Sequence, residues 1–452
     1  MLNTTLIVFI LLIYLLPTEC FSQENKIHHL TLDDCIKKAI KFSPEIGESV
    51  YEIDIYKAKK MQADAHAYPQ LKMTALFGPS PRARENQIIP NVNNNVGLTL
   101  NGIFGGFDLS IIQPIYSFGM LGYYQEAAKS GIKASTAGVE KKKAEIILRI
   151  KELYNGILLA NELRNLLLEL RDEIKRSIIT SEKRTQDDAP FGDEMNIYKL
   201  NTLNAEIVRY LNEVEKNLEV AKSLLKANLG IDRKEEIILA EKKLTIDAQI
   251  PELINNYINK ANEIRPEYIQ VQEGLKAKQF LLEAEKTSLY PQIFLGLLGT
   301  FHRASNRDRI KNPYIIDFFN ETKGAVFLGL QWSYDFGIKK GRIKEAEAEY
   351  RQMVEKHRFI KGAVPTQIEK AYYELQEAYR NISETQTAVI NSKKWLVLAM
   401  ANFDMGIGEA KEIADAAKSY AQSKANYLIS IYNQRQSLAS LMYAVGLDVQ
   451  GR

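Results

Sequence analysis

Apolar positions along this chain follow two rhythms in alternation, and the whole alternation occurs twice. From about Tyr123 to about Arg184, the residues Ile146, Ile150, Leu153, Ile157, Ala160, Leu163, Leu167, Leu170 and Ile174 recur three and four apart. That spacing predicts one helix with a narrow apolar seam, closer to coiled-coil than to globular packing. About sixty residues of helix reach roughly 90 Å, more than a compact domain requires. A breaker cluster, Ala189-Pro190-Phe191-Gly192, separates it from a partner helix over Asn196–Asn228. The same pair returns as Lys340–Asn402, a Met405-Gly406-Ile407-Gly408 turn, and Glu409–Ala444.

The second rhythm has period two. Leu71, Met73, Ala75 and Phe77 share one face, and Phe107–Ile111 turns Asp108 and Ser110 away from its apolar side. Ile293–Phe301 and Val326–Tyr334 alternate large apolar residues with Gly, Gln, Thr and Ser. These strands approach the roughly nine to eleven residues of a tilted membrane-spanning strand. Polar connections rich in Asn, Arg and Pro, at about 79–104 and 303–322, read as exposed loops.

Landmark residues confirm the duplication. Ser43-Pro44-Glu45 and Arg265-Pro266-Glu267 lie 222 apart, as do Tyr68-Pro69-Gln70 and Tyr290-Pro291-Gln292. Tyr116-Ser117-Phe118-Gly119 returns as Tyr334-Asp335-Phe336-Gly337 after 218 residues, and Gly192/Gly408 and Gly230/Gly446 are each 216 apart. The repeats run over about 30–230 and 252–446. The predicted fold is mainly α with a small β part, an internally duplicated unit of helix, two strands and a long helix pair. Such a unit needs neighbours to bury its apolar face. Four strands cannot close a barrel, and an open edge is prohibitive in lipid. The residues therefore allow two readings: a share of an oligomeric barrel, or a periplasmic β-hairpin capping a coiled coil.

Charge adds little. The 59 basic and 56 acidic residues balance to +3, with no basic block of the kind that marks a nucleic-acid partner. Residues 6–16 form an apolar run of eleven, too short for a spanning helix of about 20 residues. With Pro17 as breaker and Ser22 before the cut, residues 1–22 read as a signal peptide. Removal costs only Glu19, so the mature net charge rises from +3 to +4. Cys20 raises a lipoprotein alternative, against which Glu19 is a poor neighbour. Cleavage leaves Cys35 as the single thiol, on one helical face with Leu32, Ile36, Ala39 and Ile40. It reads as a small core residue. Beyond residue 22 no apolar run reaches 18 residues, so a closed β-barrel is the remaining way to span a membrane.

Enzyme chemistry finds no support. Asp335-Phe336-Gly337 spells a kinase magnesium motif without its Gly-rich loop or catalytic loop, and reads as a strand-to-helix turn. His28-His29, His66, His302 and His357 lack metal-ligand spacing, and no cofactor is expected. Trp332, Tyr116, Phe118, Tyr334 and Phe336 fall at strand ends, where they read either as an interfacial girdle or as plain core packing.

An ordered set of segments resembles the TolC-type outer-membrane efflux proteins. It comprises Leu30–Ile46, the Tyr68-Pro69 approach to the first strand, Gln113–Gly119, and Ala401–Ala416 around the last inter-helix turn. The resemblance covers essentially all of residues 23–452 as one channel protomer. It implies a homotrimer with a twelve-stranded outer-membrane barrel and a long periplasmic α-helical barrel. It further implies a passive exit duct for efflux or type I secretion, joined through a periplasmic adaptor to an inner-membrane RND, ABC or MFS pump. The competing reading is an adaptor or a coiled-coil scaffold that does not span the membrane. By the same resemblance Glu412 and Asp415 line the channel constriction, and Gly192, Gly406 and Gly408 form the periplasmic tip turns. Relatives can lock the tip with a basic residue just after the turn's glycine; this chain has Gly408 there, which implies a looser tip. Copy one carries Asn196 and Lys199 at the positions of Glu412 and Asp415.

Overall fold

The computed structural model describes residues 27–82, 100–186, 194–247, 251–309, 314 and 316–450. The signal segment 1–22, Cys20 and Gly192 lie outside the described residues. The chain divides into two compact units, each drawing on both repeats.

The first unit comprises the chain up to Ser43, Ile146–Ala248 and Leu375–Ala439. Strand β1 (Ile27–Leu30) pairs in parallel with β4 (Glu236–Leu239). Neither was predicted, because four residues are too few to show a period. Helix α1 (Leu32–Phe42) begins at a capping box in which Thr31 Oγ1 accepts from the Asp34 amide at 3.2 Å and Asp34 Oδ2 accepts from the Thr31 amide at 3.2 Å. Those bonds to Thr31 hold the Asp34 carboxyl below its ordinary value. The inward side of α1 carries Cys35 and Ala39, both fully buried.

Four long helices supply the rest of this unit: parts of α3 (Met120–Gln186), α4 (Glu194–Leu229), α7 (Ile338–Asp404) and α8 (Ala410–Val445). The burial on α3 is broader than a seam. Tyr154, Leu158, Leu166 and Ile178 are buried beside Ile146, Ile150, Ile157, Leu170 and Ile174. The reason is that α3 packs against more than one partner. A single cluster joins its Leu166, Leu170 and Ile174 to Leu200 and Leu203 of α4, Leu396 and Phe403 of α7, and Ile413 and Ala416 of α8.

The second unit holds α2 (Pro44–Ala65), α5 (Ile254–Ile264), α6 (Pro266–Thr287) and the main sheet. Proline starts both α2 and α6, where its missing amide is harmless, so each predicted first helix is two helices. Arg265, 4% exposed, secures the second break. It donates to Glu267 Oε2 at 3.0 Å, Gln367 Oε1 at 2.6 Å and the Ala444 carbonyl at 2.6 Å, the last an orphan acceptor at the end of α8.

The sheet runs β2 (Gln70–Pro81), β3 (Leu100–Tyr116), β5 (Gln292–Ala304), β6 (Thr322–Gln331), antiparallel throughout. β6 stops before Tyr334 because β5 begins at Gln292, opposite Gln331, and offers no partner beyond it. Trp332 instead donates its indole N–H to the Leu289 carbonyl at 3.1 Å. The register sorts the faces. Leu71, Ile111, Leu297 and Val326 align in one row, whereas Thr74, Asp108, Thr300 and Lys323 align on the opposite side. The apolar face is bare: Phe77 is 83% exposed and Leu328 71%.

Where strands become helices, Phe118 and Phe336 adopt φ of 52° and 50°. That is a costly conformation for a non-glycine residue, and both copies share it. Asp335 accepts from the Lys339 amide at 3.1 Å and so caps α7, which places it at a strand-to-helix turn. Tyr116, Tyr290, Trp332, Tyr334 and Phe336 are exposed around this junction. Among the described residues no helix is long and apolar enough to cross a membrane.

Burial pushes the Cys35 thiol up to about 12. At pH 8 the folded protein should leave Ellman's reagent unreacted at Cys35, with one thiol per chain of residues 23–452 released only in denaturant; rapid native labelling would contradict the packing.

Candidate functional site at the helical tip

Of the predicted tip residues, Gly406 and Gly408 form the turn between α7 and α8, and Glu412 and Asp415 follow it in α8. Met405, Gly406, Ile407 and Gly408 close the end of α7 with hydrogen bonds back to Ala401, Asn402 and Phe403, including Ile407 N–H to the Asn402 carbonyl at 3.0 Å. This is a glycine-based helix stop. Gly406 has φ of +79°, the left-handed conformation that favours glycine. At Gly408 the space is tight: a Cβ there would lie 3.0 Å from Phe403 N and 3.1 Å from Asn402 Cβ.

A basic group reaches the turn from copy one. Arg184, in the last turn of α3, donates to the Phe403 carbonyl at 2.6 Å and the Asp404 carbonyl at 2.7 Å. Its guanidinium also lies 5.1 Å from the Phe403 ring centroid. These carbonyls form the negative end of the α7 dipole, so a cation is favourable there. The positive end of α8 is met from the same copy, where buried Asn196 accepts from the Ala410 amide through Oδ1 at 3.3 Å. Neither role is legible in the sequence. A basic residue in a final helical turn reads as serving its own helix, and Asn196 reads as the neutral counterpart of Glu412.

Glu412 and Asp415 both lie on the exposed side of α8, while Ile413, Ala416 and Ala417 fill the core behind them. Neither carboxylate makes an ion pair with a described residue. The structure therefore leaves two carboxyl side chains per chain exposed about one helical turn apart. Lys199, the copy-one counterpart of Asp415, is partly buried.

The fold is that of outer-membrane channels. It superposes on the outer-membrane channel OprN with a TM-score of 0.76 at 14% identity, over 92% of this chain and 89% of that one. The Campylobacter jejuni CmeC outer membrane channel gives 0.75 at 16% identity, over 92% and 85%. The outer membrane protein VceC from Vibrio cholerae gives 0.74 at 15%, over 92% and 96%. No match is found among curated proteins. Residues 257–447, most of the second repeat, match the family model described as outer membrane efflux protein. The family model thus covers the second repeat, and the channel fold extends over 92% of the chain.

The Arg184 contacts have a measurable weight. A hydrogen bond to a charged group contributes about 1.5–3 kcal/mol. Arg184→Ala should accordingly speed amide exchange at residues 403–413 by about tenfold or more in hydrogen-exchange mass spectrometry, with Arg184→Lys intermediate. Unchanged protection would show that the turn holds itself.

Proposed function

We propose that the protein is the outer-membrane exit duct of a tripartite efflux or one-step secretion assembly. Three chains form a twelve-stranded barrel, and their paired helices form a tunnel through the periplasm. The observation that carries this reading is the open four-stranded sheet with one bare apolar face and, among the described residues, two unpaired edges, β2 and β6. Backbone polar groups at such edges are prohibitive in lipid, so the sheet must close with other copies. With four strands the outer two run in opposite directions, so β6 of one chain meets β2 of the next antiparallel, as bacterial barrels require. Three copies give twelve strands, with the apolar row toward lipid and the polar row toward a water-filled lumen. The exposed aromatics at the strand-to-helix junction suit the membrane interface on the helical side.

The duct is passive, and energy comes from an inner-membrane pump of the RND, ABC or MFS type through a periplasmic adaptor. Glu412 and Asp415 line the constriction at the tip, where three chains bring six carboxylates around one axis. Such a ring favours cations and can be bridged by divalent ions. An adaptor or scaffold that stays off the membrane has no use for this bare sheet face.

Purified from outer membranes in detergent, the protein should sediment as a trimer and conduct ions in planar bilayers. A soluble periplasmic monomer without conductance would end the duct reading. Replacing both Glu412 and Asp415 with Ala should weaken divalent-cation block of that conductance at least several-fold, most clearly at low salt, where carboxylate charges are least screened. Equal block in wild type and variant would move the constriction elsewhere.

A further inference from the structure

The described part of the connection just before β6 does not stand clear of the sheet. Residues 316–320 lie back across the strand ends, on the polar face. The register assigns Phe104 and His302 to that face, through the pairs Phe104↔Ala304 and Gly106↔His302. Both side chains are nonetheless buried, at 5% and 1% exposure, because Phe318 and Phe319 cover them. The Phe104 ring centroid lies 5.6 Å from that of Phe318 and 5.2 Å from that of Phe319, and His302 lies 5.0 Å from Phe318. On the other face at the same level, Ile103 is 73% exposed. The strap therefore covers one side of the sheet only, and it is the side that the duct reading makes the lumen wall.

Its attachments are polar and numerous. His302 Nδ1–H donates to the Phe318 carbonyl at 2.8 Å, an assignment fixed by the carbonyl's being an acceptor. Asn320 Oδ1 accepts from the Ala304 amide at 2.9 Å. Arg307 forks onto Asp317 with bonds of 2.8–3.1 Å, and the side chains of the pair are only 12% and 4% exposed. Bidentate geometry of this kind fixes direction as well as distance. The same guanidinium donates to the Pro81 carbonyl at 2.9 Å, so the strap is tied to β2 as well as β5. Beneath it Gly106 leaves room for the imidazole, since a Cβ there would strike the His302 ring and the Phe301 carbonyl. Phe318 remains half exposed.

We propose that residues 316–320 form a fixed constriction at the strand-loop mouth of the duct, with Phe318 the side chain that limits the size of what passes. The inference rests on the duct reading, in which three straps project toward one axis. Selection at this mouth is steric, by an aromatic rim on a hydrogen-bonded support. It is distinct from the carboxylates of the helical tip, which act by charge.

The test is polymer exclusion in planar bilayers, with poly(ethylene glycol) of graded size added to one side of the trimer at a time. A polymer that enters the mouth lowers conductance; one that is excluded does not. Phe318→Ala should raise the largest size admitted from one side only. Arg307→Gln, which frees the strap while keeping Phe318, should raise it from the same side. Cutoffs that match wild type in both variants, from either side, overturn the constriction. Absence of conductance in the wild-type trimer would instead overturn the duct reading, and the constriction with it.

Discussion

Everything in this chain answers to an unpaired sheet edge. Among the described residues four strands leave donors and acceptors open along β2 and β6, and the register gathers most of the large apolar side chains on one face. Neither condition is stable in a solitary protomer. In the proposed barrel, closing the edges with further copies satisfies the backbone and turns the apolar face outward and the polar face inward. The duplication makes this possible, because two strands per copy give an even count and therefore preserve antiparallel pairing around the ring. β3 and β5 pair across the repeats, so the two copies are one structural element.

The helical tip shows how two similar copies become unequal. Arg184 and Asn196 come from copy one and satisfy the two helix ends at the copy-two turn. Copy two offers Glu412 and Asp415 to solvent at the positions that copy one gives to Asn196 and Lys199. One copy has thus become a support and the other carries the exposed charge. The residue choices follow from that division: an asparagine oxygen can cap a helix, and a lysine beside a core position can lie partly buried along its stem.

Legibility in the sequence tracked the length over which a pattern could express itself. The long helices stood out because their period was sustained over dozens of residues, and their ends came from Gly and Pro. Alternation exposed the four sheet strands, but β6 ended early for want of a partner, which no single strand can reveal. β1 and β4 were too short to have a period. Periodicity makes the seam on α3 narrow because it reports the favoured side of a helix, not how many neighbours it has. Glu412 and Asp415 came into view through a family resemblance, whereas Arg184 did not, since its acceptors are backbone carbonyls 219 and 220 residues away and leave no mark on the sequence. The strap was hidden for a similar reason. Phe318 and Phe319 sit in a polar connection, and only the folded register shows which face they cover.

The capping of the copy-two turn by copy one bears on the order of assembly. A chain made from its amino terminus produces Arg184 and Asn196 more than two hundred residues before the groups they satisfy. The entropy of closing so long a loop must be met before either contact forms, and contacts of large sequence separation form slowly. The first long hairpin can nucleate locally from its own helices, but the tip is finished only when the second hairpin arrives alongside it. Maturation of the tip is therefore a late, whole-chain event, and a truncated product ending before the second hairpin would leave Arg184 and Asn196 without their partners.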